Sequence, residues 1–173
     1  MNTDKKEITS ALTHLGGAIF GIIALILLLS AAIKEDSLIA LASFLIFGLS
    51  MIFLYCTSCI YHFIDSSKKK AKVIMRKLDH IMIFVLISGT YTPVCLLILT
   101  KNIGYKLLAL VWSITIIGAL IKIFWIDAPR WVSAGLYLGM GWMSVLVFMP
   151  LVRSMETGGI IWLCLGGLLY TAG

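Results

Sequence analysis

The stretch that decides the fold runs from Tyr55 to Pro93. It reads YCTSCIYHFID at 55–65, SSKKKAKVIM at 66–75 and RKLDHIMIFVLISGTYTP at 76–93. It contains the end of one long apolar segment, a loop rich in lysine, and the start of another apolar segment. Each apolar segment is longer than the about 20 residues that a helix needs to cross the hydrocarbon core of a bilayer. The stretch therefore predicts two membrane-spanning helices joined by a positively charged loop.

The rest of the chain repeats this pattern. Of its 173 residues, 61% are hydrophobic and 13% are charged, which leaves too few polar side chains to cover a water-soluble core. Strands of a membrane barrel would show segments of about ten alternating residues. Six apolar segments are present instead, at about 11–33, 37–63, 78–100, 105–126, 131–152 and 157–173. The sequence therefore predicts an all-α, multi-pass helical bundle with one transmembrane domain over residues 1–173.

Lysine and arginine residues are distributed unevenly between the two sides of this predicted bundle. If the segments alternate in direction, ten of the 14 fall on the side of the N-terminus and four on the other. Cytoplasmic loops are enriched in these residues, so the N-terminus and Lys68–Lys70 are predicted to be cytoplasmic. Lys122, at the end of the fourth segment, is expected to extend its ammonium group to the same interface. The net charge of +6 then reflects topology and contact with anionic membrane lipids, and no nucleic-acid partner is expected.

Glycine residues predict where neighbouring helices approach each other closely. Gly17 and Gly21 lie on one face of the first segment, and Gly135, Gly139 and Gly141 lie in the fifth. Small residues let helix backbones come together in a membrane, where apolar burial does not drive association. Both segments are therefore expected to pack closely against a neighbour at these positions.

Polar side chains gather where the second and third segments meet the lysine-rich loop. Ser58 and His62 are four residues apart, so they share one face of a helix. Asp79 and His80 are predicted to open the following helix, and helices joined by a short connection are usually antiparallel neighbours. Ionisable groups at this depth are costly unless they face a cavity, a partner or a metal. These four side chains therefore form a candidate site.

His14, in the first segment, is predicted to lie at the same side of the membrane. The three histidines of the chain would then meet at one depth with Asp79 and Ser58. Such a set suits a metal-activated hydrolase, because zinc takes three protein ligands and a water molecule whose pKa it lowers to about 7. A polar network that only holds the helices together is the alternative interpretation.

Four motifs in the chain resemble the bacterial hemolysin III family: EITSALTHLGG at 7–17, SCIYH at 58–62, KLDHIMIFVLISGTYTP at 77–93 and GGLLYTAG at 166–173. The resemblance covers essentially the whole chain. The family is related to the progestin and adipoQ receptors and, more broadly, to the alkaline ceramidases. The resemblance implies a seven-helix fold in the bacterial inner (plasma) membrane, with a cytoplasmic N-terminus. About six of those helices lie in this chain, and a C-terminal truncation is expected because the sixth segment is short and ends in mid-helix.

The resemblance also implies a zinc site. In the family, zinc is held by the histidine of an S-x-x-x-H motif at the end of the second helix and by two histidines on the seventh. His62 matches the first of these ligands, Ser58 matches the motif serine, and Asp79 matches the aspartate beside the metal-bound water. The other two ligands have no counterpart here. Residues 1–173 alone are therefore expected neither to hold zinc tightly nor to be active.

The function implied is a zinc-dependent intramembrane hydrolase that cleaves a lipid amide or ester at the cytoplasmic leaflet, with Asp79 and Ser58 as catalytic residues. Glu7, His14 and His80 are expected to lie around the zinc without binding it. One alternative is a cytolytic pore former, although a pore requires polar groups across the whole membrane and these are concentrated at one leaflet. The other is a sensor that binds a lipid or a metal without turnover, which the sequence accommodates equally well.

Overall fold

The computed structural model of the protein describes residues 2–65 and 67–172, with the side chains of these residues except 2–4 and 130. Gly173, the end of the predicted sixth segment, lies outside this part. The described residues form helices and no strands, which confirms the predicted all-α fold. The six helices are α1 (Asn2–Lys34), α2 (Leu38–Phe63), α3 (Lys69–Pro93, continued by a π-helical turn at Val94–Ile98), α4 (Lys101–Phe124), α5 (Arg130–Trp142, a 3-10 segment at Met143–Val147, and Phe148–Ser154) and α6 (Thr157–Ala172).

The helices α1 to α5 are each long and apolar enough to cross a membrane, whereas α6 is apolar but has only 16 residues. Large apolar side chains lie on the outside of the bundle: Phe20 is 65% exposed, Leu27 66% and Leu146 76%. A water-soluble monomer does not expose apolar surface on this scale. These faces therefore contact lipid, and the prediction of a multi-pass membrane protein is confirmed.

The predicted start of the third helix was wrong. The sequence places Asp79 and His80 at the first turn, but α3 begins ten residues earlier, at Lys69. Alanine and lysine are strong helix formers, so the segment rich in lysine continues the helix into water instead of forming a loop. Asp79 and His80 consequently lie about three turns inside α3. The connection from α2 to α3 is reduced to residues 64–68. The end of the bundle at this connection is its lysine-rich end.

In α1, the two glycines predicted to allow close packing do so. Gly17 faces the ring of Tyr55, and Gly21 faces the side chains of Met51 and Ile52. All three of these neighbours belong to α2. The absence of side chains at these two positions brings the backbones of α1 and α2 together, as expected for helix pairs in lipid.

In α5, the same prediction was wrong for two of three glycines. No described atom lies within 4 Å of a Cβ position built on Gly135 or Gly139, and only Gly141 meets a neighbour, the ring of Tyr170 in α6. Gly135 and Gly139 lie on the exposed face of the helix. Their small size therefore does not serve packing between the helices described here.

The centre of the bundle is formed by α3 together with α4 and α5, around the fully buried Phe84 and Val111. Between α3 and α4, the hydroxyl oxygen of Ser88 lies 2.6 Å from that of Thr115 and 3.0 Å from the Val111 carbonyl. Between α3 and α5, the Tyr91 hydroxyl donates to the Met140 carbonyl at 2.8 Å, just before the 3-10 segment. Polar side chains thus pair with backbone or with one another inside the apolar interior, as a membrane interior requires.

Candidate functional site

The first turns of α1 and the last turn of α2 bring Glu7 and His62 together. Oε2 of Glu7 lies 2.9 Å from Nδ1 of His62, although the two residues are 55 positions apart in the chain. The side chains are 37% and 20% exposed, respectively, so the contact lies at the margin of the bundle. It depends on the helical start of α1 at Asn2, nine residues before the predicted apolar segment, which carries Glu7 alongside the end of α2.

Aromatic rings hold the imidazole of His62 in place. The ring of His14 stacks on it with centroids 5.5 Å apart and planes at 10°. Tyr61 meets it edge-on with centroids 5.1 Å apart, and the centre of the Tyr55 ring lies 6.0 Å from that of His14. The predicted proximity of His14 and His62 is therefore a direct contact in the structure.

Lys72 of α3 completes this cluster. Its Nζ lies 3.9 Å from the Glu7 oxygen that faces His62, donates to the Ile64 carbonyl at 3.5 Å, and lies 5.5 Å from the centre of the Tyr61 ring. Nothing in the sequence distinguishes Lys72 from the other lysines of its run, because its contacts with Glu7 and Tyr61 depend on where α3 packs. Three helices therefore contribute to the Glu7–His62 cluster, whose members are Glu7, His14, Tyr55, Tyr61, His62 and Lys72.

Ser58 and Asp79 adjoin this cluster. Ser58 is 5% exposed and lies one helical turn before His62 in α2. The Asp79 carboxylate is close enough to the His14 ring and to the Tyr137 hydroxyl to interact electrostatically with both. Asp79 is therefore near the cluster and near α5.

His80 follows Asp79 in α3. Its ring is near the charged groups of Lys122 in α4, of Asp79 and of Arg76. Its carbonyl accepts a hydrogen bond from the Tyr137 hydroxyl at 3.1 Å. In the described part of the chain, its buried Nδ1 has no hydrogen-bonding partner. The backbone of His80 is thus bonded to α5 through Tyr137, whereas the rings of His14 and His62 stack on each other.

The donor set for a metal is incomplete in this part of the protein. A structural or catalytic zinc ion takes at least three protein ligands. Residues 2–65 and 67–172 contain no group of three or more His, Cys, Asp or Glu side chains placed to hold a metal ion. The parallel rings of His14 and His62, with Nδ1 of His62 facing Glu7, do not converge on one point with a third donor. The described residues therefore do not fit a complete zinc site, and His62 is a candidate for one ligand only.

Two basic side chains in the first half of α3 bind groups at and just after the end of α4. Arg76 pairs with Asp127 at 2.9 Å, and Lys77 Nζ donates to the Ile123 carbonyl at 2.6 Å. Lysine and arginine near a helix C-terminus satisfy its last carbonyls and its dipole. Lys122, expected to extend to the interface, is instead 2% exposed and bonded to the hydroxyl of Ser133 in α5. The prediction for Lys122 was wrong because α5 packs over it.

An apolar cavity of about 700 Å³ lies beside the polar groups, between α2, α3, α5 and α6. Its wall includes Leu54, one turn before Ser58, and Ile83, one turn after Asp79. Few polar side chains line it, among them Thr90 and Ser144. The sequence did not indicate this cavity, because its lining comes from four helices that are separate in the chain.

The sequence of this chain is similar to those of known proteins over nearly its whole length. A family model described as "Haemolysin-III related" matches residues 2–173. The Hemolysin-3 homolog of Bacillus subtilis (strain 168) is 41% identical over 173 residues, which cover 100% of this chain and 80% of that protein. Hemolysin-3 of Bacillus cereus is 38% identical over 169 residues, covering 98% of this chain and 76% of that protein. The similarity extends over all six helices described above.

Proposed function

This chain belongs to the haemolysin-III-related family, and on that premise we propose that it is an intramembrane hydrolase that cleaves an amide or ester bond of a membrane lipid. The observation that supports this proposal best is the position of the apolar cavity. Ser58 and Asp79 each lie one helical turn from residues of its wall, Leu54 and Ile83. A cavity of about 700 Å³ lies within the 300–1,000 Å³ range typical of small-molecule sites. A lipid could place its polar linkage at Ser58 and Asp79 and its hydrocarbon chain in the cavity.

The chain's own residues would take distinct roles. Asp79 would accept a proton at the scissile bond, which is the work of a positioned carboxylate in general acid–base catalysis. The buried hydroxyl of Ser58 would orient the substrate carbonyl or the attacking water. His62 would supply one ligand to a zinc cofactor. Ionisable side chains are rare within membrane segments and concentrate at functional sites, which supports these assignments.

The distribution of positive charge supports an orientation. We expect the lysine-rich end, with Lys68–Lys70, to face the cytoplasm of a bacterial cell. A cysteine introduced at Lys69 should be blocked by a membrane-impermeant thiol reagent only after the membrane is opened. A cysteine introduced at Glu35, in the loop after α1, should be blocked in intact cells. The reverse pattern would overturn the orientation.

The experiment that tests the hydrolase uses protein expressed from its complete reading frame and reconstituted in vesicles containing ceramide or phospholipid. Release of fatty acid and zinc content per protein are measured for the wild type and three variants. Asp79→Asn should lower fatty-acid release by about 10²–10⁴-fold and leave the zinc content unchanged, because it removes a proton acceptor. His62→Ala should lower the zinc content. Asp127→Asn is the matched control, since that carboxylate is 79% exposed and pairs with Arg76 away from the cluster.

Two outcomes would contradict the proposal. Equal zinc in the wild type and His62→Ala would show that His62 is not a ligand. Zinc binding without release of fatty acid from any lipid of either class would identify a sensor instead of a hydrolase.

A further inference from the structure

We infer that Glu7 is a positioning residue for His62: its carboxylate fixes the imidazole in one orientation and in the tautomer that carries its proton on Nδ1. The inference deepens the proposed function and rests on it in one respect, that His62 is the histidine that acts. Nε2 of His62 is then the ring nitrogen that keeps its lone pair. That nitrogen can therefore bind a metal ion or accept a hydrogen bond at the site.

The donor and acceptor roles follow from the chemistry of the two side chains. Oε2 of Glu7 and Nδ1 of His62 are 2.9 Å apart, which is hydrogen-bonding distance. An ionised carboxylate has lone pairs and no proton, so it can only accept. Nδ1 must therefore be the donor. Since a neutral imidazole carries one proton, Nε2 is left as the acceptor.

The surrounding side chains limit the ring to this arrangement. His14 stacks on His62 at 5.5 Å with planes at 10°, and Tyr61 contacts its edge at 5.1 Å. Lys72 Nζ lies 3.9 Å from the same Glu7 oxygen and attracts the carboxylate from the α3 side. The carboxylate and the ring are thus each held by a second group. Carboxylate partners of this kind commonly fix the orientation and the tautomer of metal-binding histidines in proteins.

A purely structural role for the Glu7–His62 pair, as a clamp between α1 and α2, is the competing explanation. A clamp requires only that the two helices stay together, whereas positioning requires one tautomer. The tautomer is therefore the property to measure. The chain contains three histidines, so spectra of protein labelled with ¹⁵N in the histidine rings show three pairs of signals. His14→Asn, His62→Asn and His80→Asn assign them.

In the wild type, His62 should show a protonated Nδ1 and an unprotonated Nε2. Glu7→Ala should abolish this single pattern and give a mixture of tautomers. Glu7→Gln should restore it, because the amide oxygen can accept the same hydrogen bond. Glu35→Ala, an exposed glutamate in the loop at the other end of α1, is the control and should leave the spectrum unchanged. An unprotonated Nδ1 in the wild type, or an unchanged pattern in Glu7→Ala, would overturn the inference.

Lipid hydrolysis provides the second readout. Glu7→Ala should lower the rate of fatty-acid release by about 10–100-fold, and Glu7→Gln should lower it by less. The two proposals fail separately. Absence of hydrolysis in every variant and in the wild type overturns the hydrolase, while the histidine spectra alone decide whether Glu7 sets the tautomer of His62.

Discussion

The ring of Tyr55 in α2 packs directly on the backbone of Gly17 in α1. A Cβ atom built on Gly17 would lie 2.7 Å from Cδ1 of that ring, closer than real Cβ contacts. The centre of the same ring is 6.0 Å from that of His14. The contact therefore sets the separation of α1 and α2 next to the Glu7–His62 cluster.

A side chain at Gly17 should force these helices apart. We expect Gly17→Val to destabilise the protein by about 1–3 kcal/mol, the usual cost of overpacking. Gly16→Val is the matched control, because no described atom lies within 4 Å of a Cβ position at Gly16. Thermal unfolding in detergent measures both variants. Equal unfolding temperatures for the two would show that Tyr55 moves aside freely.

The hydroxyl pair between α3 and α4 should contribute measurably to stability. Ser88→Ala removes the contacts to Thr115 and to the Val111 carbonyl, and it should cost about 0.6–1.7 kcal/mol, the range found for hydrogen bonds between membrane helices. Ser113→Ala should cost less, since its exposed hydroxyl bonds only to Ala109 of its own helix. Equilibrium unfolding in mixed micelles compares the two. A larger loss for Ser113→Ala would contradict this assignment.

A polypeptide limited to residues 1–173 should bind zinc only weakly. Its described residues present no group of three metal-binding side chains, and a metal held by one imidazole exchanges freely. Titration of the purified polypeptide with zinc measures the affinity. Stoichiometric binding tighter than about 1 μM, lost in His14→Ala or His80→Ala, would show that these histidines complete a site with His62.

Asp65, in the loop between α2 and α3, should titrate below the ordinary range. The backbone N–H of Ser67 donates to its carboxylate at 2.7 Å, and this bond, with a smaller contribution from the Ser67 hydroxyl, lowers the pKa of Asp65 from its ordinary value of 3.8. Because the folded pKa is the lower one, the stabilisation is complete above the unfolded pKa and is lost as the pH falls through the folded pKa. Carboxyl ¹³C shifts during an acid titration measure the midpoint.

Variants at Ser67 separate the two contributions. Ser67→Ala keeps the backbone donor, so the pKa of Asp65 should stay lowered. Ser67→Pro has no backbone N–H, so that pKa should return towards its ordinary value. If Ser67→Ala alone restores the ordinary value, the hydroxyl and not the backbone is the main cause.

The sequence by itself determined the membrane character, the six helices of residues 2–65 and 67–172, and the shared face of Ser58 and His62. These properties depend on local quantities: the length of an apolar run against the thickness of a bilayer, and the four-residue spacing that repeats along a helix. The same local information misplaced the start of α3. A polar helix end extends into water without changing the apolar pattern, so hydrophobicity marks where a helix enters lipid and not where it begins.

Only the tertiary structure decided which polar groups meet. Glu7 contacts His62 because Gly17 lets α1 pack on Tyr55 of α2. The rotation of a helix about its axis depends on the shapes of the neighbours it packs against, and those neighbours are distant in the chain. For the same reason the apolar cavity, with walls from four helices, has no counterpart in any one segment of the sequence.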